Sequence, residues 1–513
     1  MTTEEFLKKP WAPANIHEAY DNSFLHMRPA PEYASGEVIL ASTYREVGFK
    51  GDAVSEGRTP KNGREFQKNL DKGRRPRADA VGTDIDIEAW RRIITGTLRS
   101  PKQPNQAAKR FLQISPVVPD AALYTLSARL SANSWNPGAL VARIILLGKH
   151  SEADAKELWN QLFHSLSVSE DDDIWARFLQ EEFESWRNKL HMASWSRPSD
   201  LSDSLATSAW RKAWLPTPAA RFVIDLEYTL ALKIHLTRRQ WISMVEAMLR
   251  LGTASYILWI CNANMQCFAI FRQILNGAQA PTRAELEQHL SVGSGYWRYG
   301  QLAAGTITDF STGFVKARAG INLLLHYLNG SYKHLSTCLG NLEELEAFCQ
   351  WLRENRTCIN EEDFRHDYQD ILESDQRLMA GKKGISANVK EFLRHALGQR
   401  QTAEPGLDSY DQGYFLAKKG GYRTAPWIVS LGPVSVLSLV NACTHSAKGP
   451  RTVEDLCRHL GEYGIDVQAQ AVPGSQLGQT LRNLGLVLDS PDAEGGMVVI
   501  NPFEHVAKEQ AKS

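Results

Sequence analysis

An uncharged apolar stretch between Arg250 and Arg272, LGTASYILWICNANMQCFAIF, restricts the fold more than any other feature of the sequence. It is long enough to cross a bilayer as one helix. Its polar side chains, however, recur at helical spacing and form one narrow stripe on an otherwise apolar surface: Ser255, Asn262, Gln266 and Gln273. A lipid-facing helix would have to hide that stripe. The pattern therefore favours a central core helix, whose stripe meets another helix or a partner, over a membrane span.

Size and composition indicate a folded protein of several domains. The chain has 513 residues, which is too long for a single hydrophobic core. Its apolar fraction of 43% is that of an ordinary folded protein. Its 58 basic and 58 acidic residues balance, so no overall field attracts it to nucleic acid or to an anionic membrane. The seven cysteines are odd in number and include no C-x-x-C pair, which fits buried thiols in a reducing compartment. Without a secretory signal pattern at the N-terminus, we expect a cytoplasmic protein.

Capping signals predict a mainly α fold, an irregular multi-helix body. Side chains that cap helix N-termini precede amphipathic segments at Thr83, Ser151, Thr282 and Asn341. Tryptophan positions show no constant period, so the pattern does not indicate a regular repeat array. We assign residues 83–215 to one helical domain and residues 216–380, which contain the apolar stretch, to a second.

Two segments flank this body. Residues 1–82, which lack sustained periodicity, predict a basic extended or disordered arm. Residues 381–425, rich in Gly, Pro, Lys and Tyr around a single helical pattern at residues 388–397, predict a linker region. Within the arm, residues 50–77 have nine Lys or Arg against four Asp or Glu, a net charge of +5. The alternatives are a solvated linker and a segment that lays cations along DNA phosphates. The candidate phosphate contacts are Lys72, Arg74, Arg75 and Arg77.

Residues 426–513 predict a C-terminal winged-helix module of three helices and a β-hairpin. The second helix starts at Thr452 with Asp455 in capping-box spacing, and the third starts at Ser475. The third helix places Leu477, Leu481 and Leu484 on one side. The other side has residue types that hydrogen-bond base edges, which makes them candidate DNA-binding residues: Ser475, Gln476, Gln479, Arg482 and Asn483.

Charge in the predicted wing opposes DNA binding. Its turn contains Asp489, Asp492 and Glu494 and no cation, and phosphates would repel these carboxylates. The third helix offers one arginine to offset them. Because winged helices also dock on proteins, contact with double-stranded DNA and contact with another protein subunit both remain open for this module.

Two further segments allow a functional and a simpler interpretation. Tyr296, Trp297, Arg298 and Tyr299, set between glycines, have the composition of a base-stacking clamp, but the simpler view is a loop whose aromatic side chains anchor it to the body. Asp363, His366 and Asp370 share a helical face that could bind a metal, but a solvated amphipathic face explains it with fewer assumptions. We therefore predict neither a metal site nor a cofactor.

The search for catalytic motifs is negative. We found no phosphate-binding loop, no H-E-x-x-H zinc helix, no nucleophile elbow and no dinucleotide fingerprint. The leading hypothesis is a non-catalytic, DNA-associated or scaffolding subunit of a larger complex, for which a bacterial antiviral defence complex is one setting. The alternatives are a metal-dependent nuclease with a site assembled from distant residues and a pure protein-interaction scaffold.

Overall fold

The structure is a computed structural model. It describes residues 2–27, 34–49, 89, 115–123, 136–190, 194–201, 217–292, 295–399, 411–420, 424–445, 449–488 and 497–503. In these ranges the chain is mostly helical with a few short strands, which confirms the mainly α class. Element labels below count the described elements in chain order.

The helices of the N-terminal half lead up to one long central helix. They are α1 (Thr3–Lys8), α2 (Glu18–Asp21), α3 (Gly36–Gly48), α4 (Pro137–Gly148), α5 (Glu152–Leu166), α6 (Ile174–Leu190), α7 (Pro218–Ala231) and α8 (Arg238–Leu275). The remaining helices are α9 (Arg283–Leu290), α10 (Ala303–Tyr327), α11 (Leu342–Glu354), α12 (Glu361–Ser374), α13 (Gln376–Met379), α14 (Gly384–Ala396), α15 (Pro433–His445), α16 (Val453–Glu462) and α17 (Gln476–Asn483).

The apolar stretch forms the second half of α8, a helix of 38 residues and therefore about 57 Å long. By length and composition α8 could cross a membrane, but its most apolar window is completely buried inside the protein. Ser255, at the start of the predicted polar stripe, is buried, whereas Asn262 and Gln266 are half-buried and Gln273 is exposed. The stripe thus runs out of the core toward solvent, and α8 has the burial of a core helix.

Two glycines let the neighbouring helices approach α8 closely. A Cβ atom at Gly252 of α8 would lie 2.3 Å from the ring of Phe222 on α7. A Cβ atom at Gly320 of α10 would lie 2.1 Å from the ring of Phe268 on α8. Helices α3, α4, α11, α14 and α15 also pack against α8. Because interiors are close-packed, larger residues at these glycines would force the helices apart.

The extended arm predicted for residues 1–82 is wrong for the part that the structure describes. Residues 36–48 form α3, which is buried between α4 and α8. Nearly every position of α3 is buried, including the charged residues Glu37 and Glu46, so the polar residues of its sequence do not mark an exposed face. The basic residues Lys72, Arg74, Arg75 and Arg77, like the capping pair at Thr83, lie outside the described residues.

The prediction of a linker at residues 381–425 is also wrong for the part that the structure describes. Helix α14 packs against α10, α8 and α3. Strand β2 (Leu416–Lys418) pairs antiparallel with β3 (Trp427–Val429). Of the Gly- and Lys-rich residues that suggested a linker, residues 381–383 lie in the turn before α14, and Lys419 and Gly420 lie in the bend after β2.

The other predicted helix starts are confirmed. The Ser151 hydroxyl accepts a hydrogen bond from the Asp154 amide, Thr282 forms a capping box with Glu285, and Asn341 caps α11. The acidic run before α6 has a similar role, since the Asp173 carboxylate accepts from the Ala176 amide. These signals act within one helical turn, so the sequence suffices to predict them.

The C-terminal residues continue the core of the body. Strand β4 (Arg451–Thr452) pairs with β7 (Val498–Val499), and β7 pairs with β6 (Val487–Leu488), which confirms the predicted hairpin. Helix α15 packs against α7 and α8. Strand β1 (Trp297–Arg298) runs parallel to β5 (Ile465–Asp466). One cluster of buried side chains includes residues from Phe6 to Val499, so the C-terminal helices are held firmly on the body.

A pair of neutral histidines holds the N-terminal segment against α10. The ring of His326 lies edge-on to that of His17, with centroids 5.0 Å apart, and stacks on Phe6. The Nδ1 atom of His17 accepts from the Ala19 amide at 3.1 Å, which requires that nitrogen to be unprotonated. Burial lowers the pKa of His17, and burial also lowers the pKa of His326, to about 4.

We expect this contact to weaken in mild acid. Because both folded-state pKa values lie below the unfolded value, the contribution of each histidine is complete above pH 6.5 and decreases as the pH falls; for His326 it is lost as the pH falls through about 4. Between pH 7 and pH 5 the free energy of unfolding should drop by about 1–2 kcal/mol through His326, and further through His17. Urea denaturation at pH 7 and pH 5 would measure it. The double variant His17→Asn, His326→Gln should show a smaller drop, and an equal drop would assign the acid sensitivity to other groups.

Candidate nucleic-acid interface

Helix α17 begins where the sequence predicts, but it ends before Leu484, which was expected on its buried side. The Ser475 hydroxyl accepts from the Gly478 amide at 3.3 Å, and Leu477 and Leu481 are buried. Leu484, however, is 40% exposed. The helix ends at Asn483, and Gly485 follows in the left-handed region with φ of 67°. The chain therefore turns away before Leu484 can continue the buried face.

Four of the five candidate DNA-binding residues at α17 are exposed, and three of these have amide side chains: Gln476, Gln479 and Asn483. The helix packs mainly against α15, β6 and the short helical segment Ala469–Gly474, which leaves this polar face open. Each of these amides has a hydrogen-bond donor and an acceptor, so each could bond to the edge of a base.

The other two candidates have structural partners. Ser475 is half-buried, and its hydroxyl donates to the Val472 carbonyl at 2.8 Å while capping α17. Arg482 is exposed, but its Nη1 atom donates to the Pro473 carbonyl at 2.8 Å and its Nη2 atom lies 3.8 Å from the sulfur of Met497. The guanidinium therefore ties α17 to the preceding turn and to the residue before β7.

A cleft of about 350 Å³ separates the first turn of α17 from the loop that contains β1. Gln476 lines one side, and Arg298 and Tyr299 line the other. The Arg298 side chain is 72% exposed and forms an ion pair with Asp466 at 3.1 Å. Sequence reasoning did not connect Arg298 with α17, because residues this far apart in the chain give no local signal. In this loop Tyr296 and Trp297 are buried, which confirms that they anchor it to the body.

The charged segments that bear most on DNA binding fall outside the described residues. This holds for Lys72, Arg74, Arg75 and Arg77 of the arm and for Asp489, Asp492 and Glu494 of the predicted wing turn.

The predicted acidic face of α12 has neighbours of its own. On this face His366 lies 3.5 Å from Asp370, with its side chain 73% exposed. Beside the face, the Asp367 carboxylate accepts a hydrogen bond from the Tyr327 hydroxyl at 2.6 Å. Within the described ranges, no three His, Cys, Asp or Glu side chains are arranged to hold a metal ion.

One buried polar network escaped the sequence analysis. Asp225 of α7 is fully buried and accepts hydrogen bonds from Arg221 Nε at 2.8 Å and from the Tyr463 hydroxyl at 2.7 Å. His459 Nε2 lies 2.8 Å from the same carboxylate. An Asp–His pair is a familiar part of hydrolase sites. The thiol that lines the adjacent pocket with His459 is Cys443, and burial raises its pKa to about 11, so it stays protonated and unreactive at neutral pH.

The Asp225 network therefore joins α7 to α16, and its role is to stabilise this junction.

All seven cysteines are free thiols and six are buried, as their number and spacing predicted.

The sequence matches no protein-family model and no curated protein. Functional inference for this chain therefore depends on the geometry of its own residues.

Proposed function

We propose that the chain is a non-catalytic subunit that contacts duplex DNA through α17, within a C-terminal winged-helix module. The order of elements supports the module: α15, β4, α16, α17 and the hairpin β6–β7, with β4 paired to β7. In helix-turn-helix proteins of this kind, a polar helix enters the major groove while the preceding helices support it. The connection from α16 to α17, which contains β5, is longer than the usual turn.

The observation that carries the proposal is the open polar face of α17 on a rigid support. Gln476, Gln479 and Asn483 are exposed, whereas the module beneath them shares its core with α7 and α8. Gln and Asn amides make paired hydrogen bonds to adenine, each worth about 1–3 kcal/mol of discrimination. Cations of residues 50–77 would supply the sequence-independent attraction to phosphate that this face lacks.

Protein docking is the second candidate, and two exposed leucines favour it. Leu484 is 40% exposed and Leu488 is 61% exposed, at the end of α17 and on β6. Apolar side chains gain by being covered in a protein interface, whereas a duplex offers them little beyond thymine methyl groups. On this view the same module would seat another subunit of the complex.

Substitutions on the polar face of α17 should distinguish DNA contact from protein docking. A preferred duplex would first be selected from a random pool with the full-length protein, and affinity would be read by fluorescence anisotropy. The double variant Gln479→Ala, Asn483→Ala should weaken binding by about 1–3 kcal/mol. The matched control Gln369→Ala, an exposed glutamine on α12, should leave the affinity unchanged.

The double variant Leu484→Ser, Leu488→Ser serves as the counterpart. If α17 reads DNA, duplex affinity should change less than twofold in this variant. If the polar-face variant leaves duplex affinity unchanged and the leucine variant abolishes co-purification with a partner protein, the module is a docking surface and the DNA proposal is wrong. Arg482 is a poorer probe, because its removal also breaks the contact with Pro473.

A further inference from the structure

A second cleft lies between α16 of the C-terminal module and the body. The cleft has a volume of about 650 Å³. Its walls come from the end of α4, from α7, from the residues after α9 and from α16. A volume of this size lies within the range of about 300–1,000 Å³ in which proteins bind small organic molecules.

The floor of the cleft is apolar. Ala220, Val223 and Ile224 of α7 line it at helical spacing, together with Val292 after α9. Ile224 is 38% exposed, an unusual state for a large aliphatic side chain in the wall of a cavity. Water in contact with this wall would be released when an apolar group covers it.

The rim of the cleft is polar and mostly cationic. Lys149, Arg221 and Arg458 line it, against the single carboxylate of Glu462. Lys149 pairs with Glu227 and Arg221 with Asp225, so both are held in place. The Arg458 side chain is 66% exposed and contacts Asp455 at 3.0 Å. An exposed arginine on a surface ion pair can turn toward a ligand at little cost.

Thr217 adds an independent sign of a missing partner. It lies at the N-cap of α7 and lines the cleft, and its residue is 6% exposed. Among the residues that the structure describes, its hydroxyl is buried without a hydrogen-bond partner, and it does not cap the helix. A buried hydroxyl without a partner costs free energy, which a ligand acceptor reached by rotation about χ1 would recover. The N-terminus of α7 also attracts negative charge.

We infer that this cleft binds a small amphipathic anion, with an apolar body against Ile224 and Val292 and a carboxylate, sulfonate or phosphate group near Thr217 and the cationic rim. Because the site joins α7 of the body to α16, its occupant would brace the module against the body. The inference does not depend on DNA binding by α17.

The test uses the full-length protein and the fluorescent probe 1-anilinonaphthalene-8-sulfonate, which combines an aromatic body with one anionic group. We expect saturable binding at one site and competition by octanoate. Ile224→Glu, which places a carboxylate in the apolar wall, should weaken probe binding at least tenfold. Ile234→Glu is the matched control, since Ile234 is 60% exposed and does not line the cleft.

Two more variants check the polar groups. Arg458→Gln should weaken probe binding several-fold. Thr217→Val should weaken it without lowering the melting temperature, because it removes a hydroxyl that has no partner in the described part of the chain. Circular dichroism and the melting temperature would verify that each variant is folded. Absence of saturable binding, or equal affinity in Ile224→Glu and Ile234→Glu, would overturn the proposal. So would a change of oligomeric state in Ile224→Glu without loss of probe binding, which would assign the cleft to a second copy of the chain.

Discussion

Replacing Arg250 with methionine should lower the free energy of unfolding by about 3–5 kcal/mol, the cost of breaking a buried ion pair. Arg250 lies in the middle of α8 and is completely buried. Its two terminal nitrogens donate to the Asp411 carboxylate at 2.8 and 2.9 Å, and its Nε atom donates to the Ala396 carbonyl at 2.6 Å. Methionine fills a similar volume but cannot replace any of these bonds.

The cost comes mainly from the carboxylates left behind. Asp411 and Glu246 are 5% exposed and Glu37 is 1% exposed, so they would face one another without the cation. The site is also packed against the backbone, since a Cβ atom at Gly36 would lie 2.5 Å from Arg250 Cδ. Burial disfavours the charged guanidinium, but Asp411 and Glu246 more than offset this and raise the pKa of Arg250.

Guanidinium chloride denaturation of both proteins at pH 7 would measure the loss. The matched control is Arg283→Met, which removes an ion pair with Glu343 at 3.1 Å whose side chains are 41% and 60% exposed. Exposed pairs contribute at most about 1 kcal/mol. A loss for Arg250→Met no larger than for Arg283→Met would contradict the role assigned to the buried pair.

Asp225→Ala should have an effect of similar size, about 3–5 kcal/mol, at the junction of α7 and α16. The substitution removes the acceptor shared by Arg221 and Tyr463 and contacted by His459. Arg221 keeps its ion pair with Glu462 at 3.8 Å, whereas the Tyr463 hydroxyl and His459 Nε2 lose this carboxylate. Burial, together with the nearby Asp225 carboxylate, raises the pKa of Tyr463, which keeps its hydroxyl protonated as a donor. The loss should appear in denaturation and as faster proteolysis of the C-terminal module.

Tyr463→Phe is the graded control for this network. It removes one hydrogen bond and leaves Asp225 with its other partners, so it should cost about 0.5–1.5 kcal/mol. If Asp225→Ala and Tyr463→Phe lower the free energy of unfolding equally, the network does not stabilise the junction of α7 and α16. If Asp225→Ala instead leaves stability intact and abolishes an enzymatic activity of the protein, the Asp–His pair is catalytic.

Local signals in the sequence predicted much of the helical structure. Ser151, Thr282 and Thr452 start helices because their hydroxyl groups cap amides within the next turn. The uncharged stretch after Arg250 predicted the buried central helix, because an apolar surface of that length must be covered. Two apolar segments on either side of a polar turn predicted the pairing of β6 with β7. Each of these signals acts over a few residues.

Helix α3 and helix α14 show where such reasoning stops. Helix α3 is buried almost all round, so the contrast between its faces that would mark a helix is missing. The sequence of α14 did show a helical pattern, but its Gly- and Lys-rich flanks concealed that it packs against α10. Composition describes a segment's average character, whereas burial depends on what the rest of the chain places beside it.

By itself, then, the sequence determined the mainly α class, the helix starts and the polar face of α17, because capping, periodicity and residue type are local properties. Only the tertiary structure decided which side chains meet. Arg250 and Asp411 are 161 residues apart, and Asp225 and His459 are 234 residues apart. The same holds for the cleft between α7 and α16. Contacts between such distant residues depend on how the helices pack, and helix packing leaves no period in the sequence that could be read in advance.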